Sequence, residues 1–93
     1  QAMLSSPLTT RFDLRAEPSP GLLPRLLQPF AKRDVTPDSF QARRAGEEME
    51  ITIACQGLEP GTAALIAGNL GQVIGVSRVL VTPSDQARQY SLG

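Results

Sequence analysis

The sequence predicts an α+β domain of the ferredoxin-like βαββαβ kind: a two-layer sandwich in which a four-stranded antiparallel sheet carries both helices on one face. Three observations lead there. Residues 9–16 and 49–56 alternate apolar and polar side chains with the period of two of a half-buried strand. Two stretches, after residues 19 and 60, repeat apolar residues at helical spacing. A short hairpin connection is available only between the second and third strands, so right-handed crossovers place the first and third strands centrally and the second and fourth at the edges.

The first strand runs from Thr9 to Ala16, where Phe12, Leu14 and Ala16 alternate with Arg11, Asp13 and Arg15. Ser19-Pro20 then fits a helix start, a hydroxyl cap followed by a proline whose missing N–H costs nothing at the first position. Leu22, Leu23, Leu26, Leu27 and Phe30 fall on one helical face. Pro24 is tolerable in the first turn, whereas Pro29 lies in the interior and predicts a bent or short helix at a cost of about 3 kcal/mol. Residues 34–38, with Pro37 and Asp38, read as a turn into a second strand over 39–45, with Phe40 and Ala42 as its inward pair.

Gly46, Glu47 and Glu48 make a polar hairpin connection. Met49, Ile51, Ile53 and Cys55 alternate with Glu50, Thr52, Ala54 and Gln56 in the clearest strand of the chain. After a loop over 57–61, a second helix is expected over about 61–73, with Leu65, Ile66, Asn69, Leu70 and Val73 on one face. Gly68 and Gly71 weaken it by roughly 1 kcal/mol each unless they allow close packing on the sheet. Gly75 ends it, and the β-branched stretch 76–82 is the last strand. The domain is thus expected over 9–82, with flexible termini at 1–8 and 83–93.

Composition narrows the function. Ninety-three residues with 41% hydrophobic content make one domain, and at this size only roughly 60–65% of the unfolded surface is buried, so an interface adds usefully to stability. Net charge is zero and the basic residues are scattered, which argues against nucleic acid and anionic membranes as partners. No apolar run approaches a membrane span, and one cysteine without a partner fits a reducing cytoplasm. Histidine is absent, which removes the commonest general base and the commonest nitrogen ligand for metals. The expectation is a protein with no catalytic residue, no metal and no cofactor.

The junction at residues 15–23 is the most informative stretch. A glycine between a strand and a helix lets backbone N–H groups approach a small anion, with the positive end of the helix dipole behind them. Ser19, Pro20, Gly21, Leu22 and Leu23 are therefore the candidate ligand loop; the simpler reading is that Gly21 eases a tight turn after two prolines. Thr36, with Asp38, is a candidate to face a ligand across a dimer interface, or simply a turn residue.

The element order, with Pro20-Gly21-Leu22-Leu23-Pro24-Arg25-Leu26-Leu27 after a first strand, resembles the ACT domain, the small regulatory module of amino-acid metabolism. Phe30-Ala31-Lys32-Arg33 followed by Asp34-Val35-Thr36-Pro37-Asp38-Ser39 is similar to that family's passage into the second strand. Leu70-Gly71-Gln72-Val73-Ile74-Gly75-Val76-Ser77-Arg78-Val79 is similar to its final helix-to-strand passage. Within the family the chain looks most like a stand-alone, single-domain regulatory (small) subunit of acetolactate synthase. That resemblance implies a homodimer, a small amino acid at its interface, and the catalytic subunit of an enzyme of branched-chain amino-acid biosynthesis as partner. Amino-acid-binding members place asparagines where this chain has Pro18 and Thr36, and an amide both donates and accepts where proline offers nothing and threonine one hydroxyl. The alternative is therefore a ligand-free assembly subunit that binds a protein only.

Other candidates have simpler readings. Cys55 falls on the apolar side of its strand, as a small buried hydrophobe rather than a nucleophile. Glu47, Glu48 and Glu50 read as a solvated turn and strand face rather than a cation site. Arg43 and Arg44 point to opposite faces of their strand, so only one can serve a given surface. The uncovered sheet face, carrying Arg11, Asp13, Arg15, Gln41, Arg43, Thr52, Ala54 and Gln56, lacks the aromatic platform an RNA-recognition domain of this topology uses.

Overall fold

The computed structural model describes residues 8–85, and the chain ends expected to be flexible lie largely outside them. Its elements follow the order β1 (Leu8–Ala16), α1 (Leu22–Lys32), β2 (Ser39–Ala45), β3 (Glu48–Gln56), α2 (Pro60–Gly71) and β4 (Val76–Asp85). The sheet is antiparallel throughout, in the spatial order β2-β3-β1-β4. The central and edge strands are those the crossover argument requires.

Alternation decides which face is dry. Phe12, Leu14 and Ala16 of β1 and Ile51, Ile53 and Cys55 of β3 point to one side, and all are at most 2% exposed. Leu22, Leu26 and Phe30 of α1 and Ala63, Ile66 and Leu70 of α2 close over them in a single core. Phe12 and Phe30 meet edge to face with ring centroids 5.4 Å apart, tying the central strand to the first helix. Fully burying each such side chain contributes about 1.5–3 kcal/mol.

Several local expectations are corrected. Helix α1 starts at Leu22 with Gly21 as its N-cap, not at Ser19, and no side chain caps it. Pro24 falls in the first turn; Pro29 is buried inside a helix that continues to Lys32, so it does not shorten α1. Only Leu22, Leu26 and Phe30 of the expected apolar face are fully buried; Leu27 is 39% exposed because the stripe is too wide for the sheet below it. Asp34 ends α1 with φ +56°, and its N–H and that of Val35 donate to Ala31 O and Phe30 O, which satisfies the last carbonyls of the helix.

Helix α2 spans 60–71, starting at Pro60. Leu65 faces outward at 59% exposure, contrary to expectation, because Ala63, Ile66 and Leu70 take the inner positions. Nothing lies within 4 Å of where a Cβ would stand on Gly68 or Gly71, so neither glycine serves close packing. On β2, Phe40 and Ala42 pair with the core residues Ile53 and Ile51, yet Phe40 is half-buried and Ala42 exposed, since they lie on an edge strand. Glu48 begins β3 rather than belonging to the turn; Gly46, at φ +65°, supplies the left-handed residue of that hairpin. Strand β4 runs three residues past Thr82.

Candidate functional site

The loop between β1 and α1 is fastened at both ends by backbone hydrogen bonds. Glu17 N–H donates to Gly75 O (2.9 Å), which pins the exit of β1 beside the entry to β4, and Leu22 N–H donates to Ser19 O (3.1 Å). Pro18, Pro20 and Pro24 stiffen what lies between and just after. Gly21 itself has φ −95° and ψ 6°, open to any residue, so the turn does not need glycine for its dihedrals. Space limits it only mildly, through the movable end of one side chain. A Cβ on residue 21 would stand 3.2 Å from the guanidinium of Arg25.

Beside this loop lies a groove of about 490 Å³ lined by Pro18, Ser19, Pro20, Leu22, Leu23, Pro24, Arg44 and Met49. Arg44 reaches it because Phe40, Ala42 and Arg44 alternate onto the helix side of β2, and Arg44 sits opposite Met49, which in turn sits opposite Ala16. These two registers therefore carry the end of β2 under the first turn of α1. The groove is apolar apart from the Ser19 hydroxyl and one cation, Arg44, which forms no salt bridge among the described residues. In the first turn of α1, Leu22 N–H is already bonded and Pro24 has none, so the backbone amide of Leu23 is the donor left over. An arginine, a helix-terminal amide and aliphatic walls together suit a small molecule with a carboxylate at one end and a hydrocarbon at the other.

Of the residues singled out in the sequence, the structure gathers Ser19, Pro20, Leu22 and Leu23 around one groove, with Gly21 behind it. Leu22 contributes while 1% exposed, so it is first of all a core residue. Thr36 is elsewhere. It lines a separate hollow of about 380 Å³ with Leu27, Phe30, Ala31, Asp34, Val35 and Pro37, at the opposite end of α1, roughly 16 Å of helix away. Asp38 serves the fold: its carboxylate accepts from Gln56 N–H (2.7 Å) and its N–H donates to Ala54 O (2.8 Å), fastening the entry of β2 to the end of β3.

The far side of the sheet is uncovered and polar, with the expected Arg11, Asp13, Arg15, Gln41, Arg43 and Thr52 around a hollow of about 400 Å³. Glu50 is held between Arg15 and Arg43 at 2.9 Å each, and Arg15 also reaches Glu48 at 3.2 Å. Asp13 accepts from Arg11 (3.0 Å) and from the Thr52 hydroxyl (3.1 Å). Arg78 and Leu80 complete the lining from β4. On the dry side, burial pushes the Cys55 thiol up from its ordinary pKa, with the nearby charge of Asp38 adding to it, so the sulfur is held as the unreactive thiol.

Sequence reasoning missed Arg44 as a groove residue, Arg25 beside Gly21, and Arg78. Strand parity alone could have placed Arg44 with Phe40 and Ala42. No local pattern brings β2 past the loop of β1. Among the described residues no group of three His, Cys, Asp or Glu is placed to hold a metal, and no helix is long and apolar enough to cross a membrane.

Comparison with known proteins fits this architecture. The profile of the family described as ACT-like domain matches residues 5–88. No curated protein sequence matches the chain significantly. Among solved structures, the C-terminal domain of the MgtC protein from Mycobacterium tuberculosis superposes with a TM-score of 0.71 at 16% identity, over 89% of this chain and 94% of that one. The ACT domain from the GTP pyrophosphokinase of Chlorobium tepidum gives 0.70 at 12% identity, over 83% of this chain and 100% of that one. A homoserine dehydrogenase from Thiobacillus denitrificans gives 0.70 at 16% identity, over 87% of this chain and 18% of that larger one. At these identities the likeness is one of fold. The sheet order, the helix layer and the family profile agree: this chain belongs to the ACT-like domain family.

Proposed function

We propose that this chain is a non-catalytic regulatory domain of amino-acid metabolism that binds a small aliphatic amino acid beside the loop at residues 18–24 and passes its occupancy to a partner enzyme. The observation that carries this reading is the guanidinium of Arg44, without an acidic partner among the described residues, in a mostly apolar groove at the N-terminus of α1. A ligand carboxylate would bridge Arg44 and the Leu23 amide, and its side chain would lie on Leu23, Met49 and the prolines.

A second copy completes the site. Thr36 precedes β2 and Arg44 ends it, so within one chain they stay apart. An antiparallel pairing of two exposed β2 edges would carry Thr36 of the partner subunit toward the groove and would satisfy a row of free backbone groups. Binding would then favour one arrangement of the dimer, which the partner senses. The resemblance to a small regulatory subunit makes the catalytic subunit of acetolactate synthase the first partner to test, in the cytoplasm.

The second reading is a ligand-free assembly subunit. It is favoured by the donors that are missing: Pro18 and Thr36 stand where sensors have asparagine, Pro24 has no N–H, and that of Leu22 is spent on Ser19 O. Calorimetric titration with valine, leucine, isoleucine and other amino acids separates the two. Saturable heat that disappears in Arg44→Ala supports the sensor; a folded dimer giving no heat with any of them sinks it. Co-purification of an acetolactate synthase catalytic subunit tests the partner independently.

A further inference from the structure

One register level crosses the uncovered face of the sheet with four long charged side chains, one per strand: Arg43 on β2, Glu50 on β3, Arg15 on β1 and Arg78 on β4. Every carboxylate near them is engaged. Glu50 lies between Arg15 and Arg43, Glu48 meets Arg15, and Asp13 holds Arg11 and the Thr52 hydroxyl. Arg78 has no acidic partner among the described residues, and it is the direct cross-strand neighbour of Arg15. Like charges directly opposite each other on antiparallel strands destabilise the pair, so nothing in the fold calls for this arrangement.

We propose that this face is a second binding site, separate from the loop groove and on the opposite side of the sheet, for a small phosphate ester. Four arginines and two carboxylates line the hollow, and Glu48 reaches Arg15 from beside it, so the cluster keeps an excess of positive charge toward a phosphate monoester, about −1.5 to −2 at neutral pH. Arg78, on the strand beside Arg15, grips the phosphoryl oxygens, and Arg15 joins it by giving up one of its exposed pairs with Glu48 and Glu50, a planar fork suiting a tetrahedral oxyanion. The Gln41 amide supplies a further donor at the hollow, and Leu80, 49% exposed on its rim, meets the organic body of the ester. A volume of about 400 Å³ falls in the range of small-ligand sites. The bound anion gives Arg78 the acidic partner it lacks among the described residues.

The test is a titration of the full chain with inorganic pyrophosphate and with glycerol phosphate, at ionic strength held constant with sodium chloride, read by amide NMR shifts. Saturable shifts are expected on residues 11–15 and 78–80, with the apparent Kd at least tenfold weaker in Arg78→Ala and unchanged in Arg44→Ala, which lies on the other face of the sheet. Arg78→Ala should melt no lower than the parent, since it removes a like-charge contact; Arg78→Gln repeats the comparison if the alanine variant fails to fold. Three results would overturn the proposal: no saturation, shifts that chloride alone reproduces, or undiminished binding in both Arg78 variants. Binding of an acidic peptide to this face without any response to either phosphate compound would also overturn it, in favour of a protein interface. Because Arg44→Ala serves as the control, loss of the amino-acid reading leaves this outcome unaffected.

Discussion

The guanidinium of Arg25 occupies the space beside Gly21 where a side chain would begin, 3.2 Å from a Cβ that is not there. One turn of helix separates the two residues, and Arg25 N–H also donates to Gly21 O (3.3 Å). The first turn of α1 therefore holds an arginine and no acid, although its N-terminus favours negative charge.

Gly21→Asp should split stability from binding. Its backbone dihedrals admit aspartate, the flexible end of Arg25 can move aside, and the new carboxylate meets both that cation and the helix dipole. The expected gain is about 0.3–1 kcal/mol in urea unfolding. The same charge repels a ligand carboxylate, so any amino-acid heat seen in the parent should vanish by calorimetry.

Asp34→Gly should also stabilise. A non-glycine residue at φ +56° carries a steric cost of roughly 1 kcal/mol, and aspartate adds a negative charge at the negative end of α1. A gain near 1 kcal/mol raises the Tm of a domain this size by about 4–8 °C, which calorimetry or circular dichroism would detect. An unchanged or lower Tm would mean that the Asp34 side chain supports the turn into β2.

Glu50→Gln should destabilise in a salt-dependent way. Its loss leaves Arg43, Arg15 and Arg78 in one row with Glu48 as the remaining acid within reach of Arg15. Exposed pairs contribute little, so the expected cost is about 1 kcal/mol at low salt. Screening should shrink it at high salt, so melting curves at the two salt concentrations must converge.

The buried thiol sets an alkaline limit. The pKa of Cys55 is raised in the folded protein, so folding binds its proton more tightly than the unfolded chain does. That contribution is fully present below the unfolded thiol value, roughly 8.5, and is lost as pH rises through the folded value. Stability should therefore fall between those two values by up to about 1.4 kcal/mol per pH unit, and Cys55→Ala should flatten the slope. Thiol reagents should label the folded protein only as fast as it opens.

Periodicity made the sheet and its dry face legible. Phe12, Leu14 and Ala16, and Met49, Ile51, Ile53 and Cys55, are arranged along the chain as they are in space, because a strand turns each successive side chain to the other face whatever surrounds it. The same locality made the βαββαβ order and the central position of β1 and β3 readable, through the short hairpin and the handedness of crossovers. The helices were read less well. Leu27 and Leu65 look inward by spacing alone, but which part of an apolar stripe is covered depends on the neighbour that covers it, and both are left outside.

The geometry of the candidate groove and of the arginine row was decided by that longer range. The sequence by itself determined the loop and its residues, Ser19 to Leu23, and the alternation that sends Arg43 and Arg44 to opposite faces. Only the tertiary structure set Arg44 under that loop and faced Arg15 with Arg78. Local dihedral preferences act over a few residues, whereas these neighbours depend on registers such as Ala16 with Met49 and Arg15 with Arg78, 33 and 63 residues apart, which no local pattern encodes.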